Sequence, residues 1–343
     1  LKLSYLNIVE NLFFIKIFIK IIYFIIMKTS ILVGGQAVIE GVMMRVPGAY
    51  ATALRLSNGK IISKRFEFKS IIDRKNLKNY IILRGMIHLY ESMKIGYQTL
   101  NWSATVFEEQ ENPKQQPSSF FNWLFEHVAN LFSILFAISL FILLPLYLSG
   151  RVVSDINQPI TFNLISGAIR IIIFLLYLIL ISQLKDVKTL FQYHGAEHKT
   201  VYNFESGKPL HYKEAQKFST KHPRCGTSFL FIIMLVTIFL YTILDSVILL
   251  FINNLTILIR FVSHLAFMPL IAGVGYEVLK FLASKQHVKI FNYLSRPGLW
   301  LQNITTRSPD DSQVEVAIFA LKEAFGNNLN KYLGKEYNAD SIG

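Results

Sequence analysis

The stretch "ITFNLISGAIRIIIFLLYLILISQL", residues 160–184, contains no acidic residue and only one basic one. At 1.5 Å per residue a helix of this length crosses a hydrocarbon core of ~30 Å. Three further apolar runs, 124–149, 228–253 and 255–283, meet the same test. The links between the first and second runs, "GRVVSDINQP", and between the third and fourth, "NN", carry little charge. Between the second and third runs, by contrast, residues 185–227 hold Lys185, Lys188, Lys199, Lys208, Lys213, Lys217, Lys221 and Arg224. The positive-inside rule assigns that segment to the cytoplasmic side, and an even number of spans brings both termini there. The expected fold is a polytopic α-helical membrane protein of about four transmembrane helices, with a small cytoplasmic α+β part built from N-terminal strands and the C-terminal tail.

Composition agrees: 52% of the 343 residues are hydrophobic, with 28 Phe and 16 Tyr, too apolar for an ordinary soluble domain. The net charge of +13 is spread between the apolar runs and gathers on no single basic face. It therefore reads as membrane orientation and contact with anionic headgroups, so the lipid bilayer, and not nucleic acid, is the expected partner. The lone Cys225 excludes an internal disulfide and suits a reducing compartment.

Outside the spans the chain divides into four parts. Residues 1–26 are an apolar leader with Lys16 and Lys20 inside it, read as a mis-assigned start before Met27 or as a membrane anchor. Residues 27–107 combine a hairpin around Asn58-Gly59 in "AYATALRLSNGKIISKRFEF" with an amphipathic helix. Ile82, Met86, Leu89, Met93, Gly96 and Leu100 mark the face that this helix would lay on the membrane or the sheet. A polar linker covers 108–119, the four spans lie within 120–283, and the tail runs over 284–343. In the tail "RPGLWLQNITT" reads as extended, and Ser308-Pro309-Asp310-Asp311 starts a helix whose stripe Val314, Ala317, Ile318 and Leu321 calls for a partner in the sheet.

Chemistry concentrates in "LFQYHGAEHKTVYNFESG", residues 190–207. His194, Glu197 and His198 stand in the spacing H-x-x-E-H, which on a helix lets both imidazoles reach one divalent metal, zinc first, beside a carboxylate able to take a proton from water. Two completions are open. His222 and Cys225 of "KHPRCGTSF" would close a four-ligand structural site. Glu277, about 79 residues after His198, would instead leave a position for water. An ionisable residue inside a span is a functional candidate, although Glu277 has Arg260 or Lys280 as alternative partners. In "GGQAVIEGVMMR" the glycines flank Gln36, Glu40 and Arg45, which either line the same pocket or form a structural pair on the first strand. His88, His127, His211, His264 and His287 lack partners at ligand spacing and read as surface, interfacial or core histidines.

These motifs, with "RPGLWLQNITTRSPDDSQVEVAIFAL", resemble the YqhQ-like family (DUF1385) over roughly Ser30 to Gly326. The resemblance implies a membrane protein of bacteria or plastids and a predicted metal-dependent enzyme of no known substrate; with the charge pattern above, the expected place is the bacterial cytoplasmic membrane or a plastid membrane, both termini cytoplasmic. Two functions follow. One is a membrane-embedded metal-dependent hydrolase acting at the cytoplasmic face on a lipid or membrane-proximal peptide, with Glu197 as general base. The other is a non-enzymatic scaffold or assembly factor holding a structural metal or none. A transporter is disfavoured, because no Gly/Pro-broken pair of spans repeats between two halves.

Overall fold

The computed structural model describes residues 33–77, 79–111, 120–153, 155–284 and 289–337. The leader 1–26 and much of the linker lie outside them. A meander of four antiparallel strands opens the chain: β1 (Gly34–Val38), β2 (Gly41–Val46), β3 (Ala49–Arg55) and β4 (Ile61–Glu67). The Asn58-Gly59 turn joins β3 to β4, with Gly59 at φ +82°. After α1 (Ile71–Lys75) comes the long helix α2 (Ile81–Glu111), which extends into the expected linker.

The first apolar unit is composite: α3 (Phe120–Ile138), a π-helical turn at Ser139–Leu143, and α4 (Leu144–Val152). Then follow α5 (Pro159–Ile181), α6 (Lys185–Glu205), the short α7 (Tyr212–Ala215), α8 (Gly226–Leu249) and α9 (Ile257–Ser284). Four helical segments are long and apolar enough to cross a membrane: His127–Val152, Pro159–Ile181, Gly226–Leu249 and Ile257–Val278. Their bounds fall close to the four runs read from the sequence.

The tail forms α10 (Lys289–Thr305) and α11 (Asp311–Phe325). The expectation of an extended "RPGLWLQNITT" is thus corrected. Pro297 sits inside α10, and the segment is helical because Leu301, Gln302 and Thr305 form one buried face, with Gln302 bonded to Ser228 of α8 and to the backbone of His222. Helix α11 starts as expected: Asp310 caps it in a reciprocal capping box with Gln313, and Val314, Ala317, Ile318 and Leu321 are all buried.

Strand alternation gives the sheet two different faces. Val42, Met44, Val46, Ala49, Ala51 and Ala53 pack into a core with α6 and α11. Met43 and Tyr50 face the other way, onto Ile95 of α2. The amphipathic stripe expected on α2 is accordingly split. Gly96 turns inward against Gln36, whereas Met93 and Leu100 point away from the protein, because the sheet takes up the face of Ile95 and Gly96 and α9 packs along the first half of the helix at Gly85.

Sheet, α6 and tail gather where α5 ends and α8 begins. At the opposite end Asn157 bridges the two short links, donating to Asn254 and accepting from the Leu255 amide. Near that end Asp245 of α8 is fully buried among Arg260 and His264 of α9 and Asn163 of α5. His264 is therefore a core histidine with a carboxylate partner. Arg260 is already engaged with Asp245 and is not the partner of Glu277.

This network fastens three candidate spans at a point buried from solvent. Asp245→Ala should strand the Arg260 guanidinium and lower stability by about 3–5 kcal/mol, whereas Asp245→Leu combined with Arg260→Met should cost much less. Thermal unfolding of detergent-purified protein measures both.

Candidate metal centre

Three ligand atoms, from His194, His198 and Cys225, lie within 4.8 Å of one another. Two come from successive turns of α6. The third is the residue immediately before α8, so the site joins two elements 27 residues apart in the chain (198 to 225). The imidazole Nδ1 of His194 lies 2.8 Å from the Thr305 carbonyl, and that of His198 is bonded to the Thr220 carbonyl. A carbonyl only accepts, so each Nδ1 carries its hydrogen and each Nε2 is left as the ligand atom. Fixing a metal-binding imidazole by a bond from its other nitrogen is the usual outer support of such ligands. The His194 Nε2 lies 3.1 Å from Cys225 Sγ. Cys225 caps α8, its sulfur accepting from the Thr227 amide at 3.4 Å, where the helix dipole favours a thiolate.

Glycines explain why these groups can converge. A Cβ on Gly195 would meet the Arg307 carbonyl at 2.1 Å, so "HGAEH" lets the returning tail lie on α6 and bring the Thr305 carbonyl to His194. A Cβ on Gly35 would meet Glu197 Cγ at 2.8 Å, so β1 forms the wall behind that carboxylate. Glu197 is buried, with an oxygen 3.4 Å from His198 Nε2.

Electrostatics follow from burial and from the pairing of opposite charges. Burial pushes the Cys225 thiol up, but His194 and His198 beside it hold it well below the usual thiol range. Burial pushes His194 down, yet Cys225, Glu197 and the Thr305 carbonyl outweigh it and raise the imidazole to about 9. His222 is drawn down to about 4, by burial first and by neighbouring His198 second.

The other expected site residues fall into distinct places. His222 is buried beside the cluster, its ring 5.7 Å from that of His198, but its Nε2 faces Glu205 at 3.6 Å, and Glu205 is held by Arg224. Glu277 is not among the converging groups. Its carboxylate is clamped by Arg84 of α2, with one bond of 2.9 Å. Glu40, in the turn between β1 and β2 at φ +49°, accepts from the Tyr193 hydroxyl at 3.3 Å, and burial raises its carboxyl. Gln36 and Arg45 lie on the α2 side of the sheet, Arg45 with its guanidinium 4.5 Å from the Phe68 ring centre. The pocket expected from "GGQAVIEGVMMR" therefore splits by strand alternation: Gly35 and Glu40 abut α6, Gln36 and Arg45 do not. The carbonyls of Thr220 and Thr305 were missed, since a backbone acceptor leaves no residue-type signal.

For stability against pH the two shifted groups act in opposite directions. His194 contributes fully below its ordinary 6.5 and loses that as pH rises through about 9. Cys225 contributes fully above its ordinary 9.0 and loses that as pH falls through its lower folded value. Between about 6.5 and 9, where each group differs by a proton between the folded and unfolded states, the two changes cancel, so an unfolding curve in that window is blind to the pair. Thiolate absorption is not: chelator-treated protein should show it at neutral pH, and His194→Ala should abolish it there by letting the thiol pKa rise.

The chain matches the family described as "Protein of unknown function (DUF1385)" over residues 81–327. It is 31% identical over 303 residues to "Uncharacterized protein YqhQ" of Bacillus subtilis (strain 168), covering 84% of this chain and 91% of that protein. No solved structure matches. With the match spanning most of the chain, including the histidine helix, Cys225 and the tail that supports them, the protein belongs to the DUF1385 family.

Proposed function

We propose that this chain is an integral membrane protein with a divalent metal, zinc by its donor set, held by His194, His198 and Cys225, and that it is a hydrolase acting at the cytoplasmic face on a lipid or a membrane-proximal peptide. The observation that carries the reading is the convergence of two carbonyl-anchored imidazoles and a thiolate-disposed cysteine with no fourth ligand of the same cluster among the described residues. Two nitrogens and a sulfur suit zinc, and three protein ligands are the arrangement of catalytic sites, not of closed structural ones. When bound, such a metal polarises a carbonyl or phosphoryl oxygen and acidifies water. Glu197, walled by Gly35 and beside His198, accepts the proton of the attacking water and returns it to the leaving group.

Orientation draws on the basic residues of 185–227 and on the even number of candidate spans. The membrane is the cytoplasmic membrane of a bacterium, or its plastid counterpart, with both termini cytoplasmic. A cysteine at Lys208 should be reached by an impermeant thiol reagent only after cells are opened. Labelling from outside intact cells would reverse the sidedness and remove the cytoplasmic site.

The scaffold reading draws on the nearness of His222, which would close the site as a fourth ligand. The two separate cleanly. Glu197→Gln should keep the metal, measured by elemental analysis of purified protein, and lower complementing activity by ~10² or more. His194→Ala, His198→Ala and Cys225→Ser should lose the metal, and His222→Ala should keep it. Full activity in Glu197→Gln, or loss of metal in His222→Ala, would favour the structural site.

A further inference from the structure

Helix α2 (Ile81–Glu111) packs on the sheet with one stripe of side chains and borders a groove with the next. Glu91, Ile95, Thr99 and Ser103, spaced by four, are buried. Tyr90, Lys94, Gln98 and Trp102, each one position earlier, are not buried and line a groove of about 560 Å³. That volume falls within the range of small-molecule sites. The second wall is the α2 side of β3 and β4, and the third is the segment from Phe68 to Arg74. Glu91 fixes this third wall to α2, accepting from the Ser70 hydroxyl at 2.9 Å and from the Ile71 amide at 2.6 Å. On the sheet Tyr50 stacks on Phe66, with ring centres 5.2 Å apart and planes 25° apart, and meets the Phe68 edge at 6.4 Å.

Three cations stand on the three walls: Lys64 on β4, Arg74 on α1 and Lys94 on α2. None of them makes an ion pair among the described residues, and Arg74 donates through Nε to the Lys69 carbonyl. Of the two acids on the groove Glu91 is engaged with the third wall, which leaves Glu67 against three positive groups. Thr52, opposite Lys64 in the strand register, also lines the groove, and its buried hydroxyl has no hydrogen-bond partner among the described residues. Folded proteins seldom leave such a group unpaired. We propose that the groove binds a nucleoside phosphate, its base against the aromatic side chains and its phosphates on Lys64, Arg74 and Lys94. Aromatic faces hold any base by stacking, and lysine ammoniums match phosphate charge. A strand of nucleic acid needs an open track of successive bases, whereas this groove is bounded by three elements. It lies on the face of the sheet opposite α6, so the inference does not depend on the metal centre.

The test is calorimetric titration of the detergent-purified full chain with ADP, GDP, CDP and UDP. At least one should bind saturably at one site per chain, and its nucleoside and inorganic pyrophosphate should each bind at least ~10-fold more weakly. Lys94→Gln, at an exposed side chain, and Trp102→Ala should each weaken that nucleotide by about tenfold or more, and Met93→Ala, on the same helix but off the groove, should leave it unchanged. No binding by any of the four, pyrophosphate binding as tightly as the nucleotide, tighter binding of an oligonucleotide than of the mononucleotide, or unchanged affinity in either Lys94→Gln or Trp102→Ala would each overturn the proposal.

Discussion

A polar helix buried on nearly all sides has to find partners for most of the hydrogen-bonding groups it takes out of water, and α6 is such a helix. Glu197, His198, Lys199, Thr200, Asn203 and Glu205 are all buried within it. The partners are mostly backbone carbonyls of chain that returns over it. The Lys199 ammonium donates to Gln216 and Phe218, Asn203 to Pro209, His198 to Thr220 and His194 to Thr305. The path of residues 206–224 and of the tail is therefore set by the needs of α6. The candidate site is one part of a larger arrangement in which side chains of one helix organise otherwise irregular backbone.

That arrangement explains the division of labour between apolar and polar parts. The four candidate spans supply a frame whose two short links are tied by Asn157, and the sheet supplies a wall, through Gly35, against Glu197. The tail closes the third side. Lys199 is a useful example, because a lysine one residue beyond H-x-x-E-H looks functional, yet its ammonium is consumed by two carbonyls at the end of α7, and burial lowers its pKa. Its position serves the backbone that holds Thr220.

Local signals in the sequence carried far. Apolar run lengths located four candidate spans, Asn58-Gly59 located a hairpin, and Asp310 with the stripe from Val314 located α11 on the sheet. His194, His198 and Cys225 were legible as a set because helix periodicity aligns the first two and the third precedes the next apolar run. Other features depend on contacts distant in sequence. Nothing near Glu277 announces Arg84, 193 residues away. Pro297-Gly298 reads as a breaker, and only the face packed on α8 keeps α10 helical through it. Asp245, Arg260 and Asn163 hid for a different reason: single polar residues in long apolar runs hardly alter average hydropathy, although together they neutralise one another.

The π-helical turn at Ser139–Leu143 has a consequence for how this fold tolerates length changes. A π-turn widens the backbone by one residue and releases a carbonyl from the regular ladder. Here the Phe141 carbonyl accepts from Nε of Arg170, a guanidinium carried in the middle of α5. Deleting one residue there would regularise α3 and α4 into a single ordinary helix, improving local hydrogen bonding while withdrawing the acceptor from Arg170 and rotating α4 by about 100° relative to α3. The irregularity is thus a register device, and insertions or deletions in this span should be borne far less well than substitutions of one apolar residue by another.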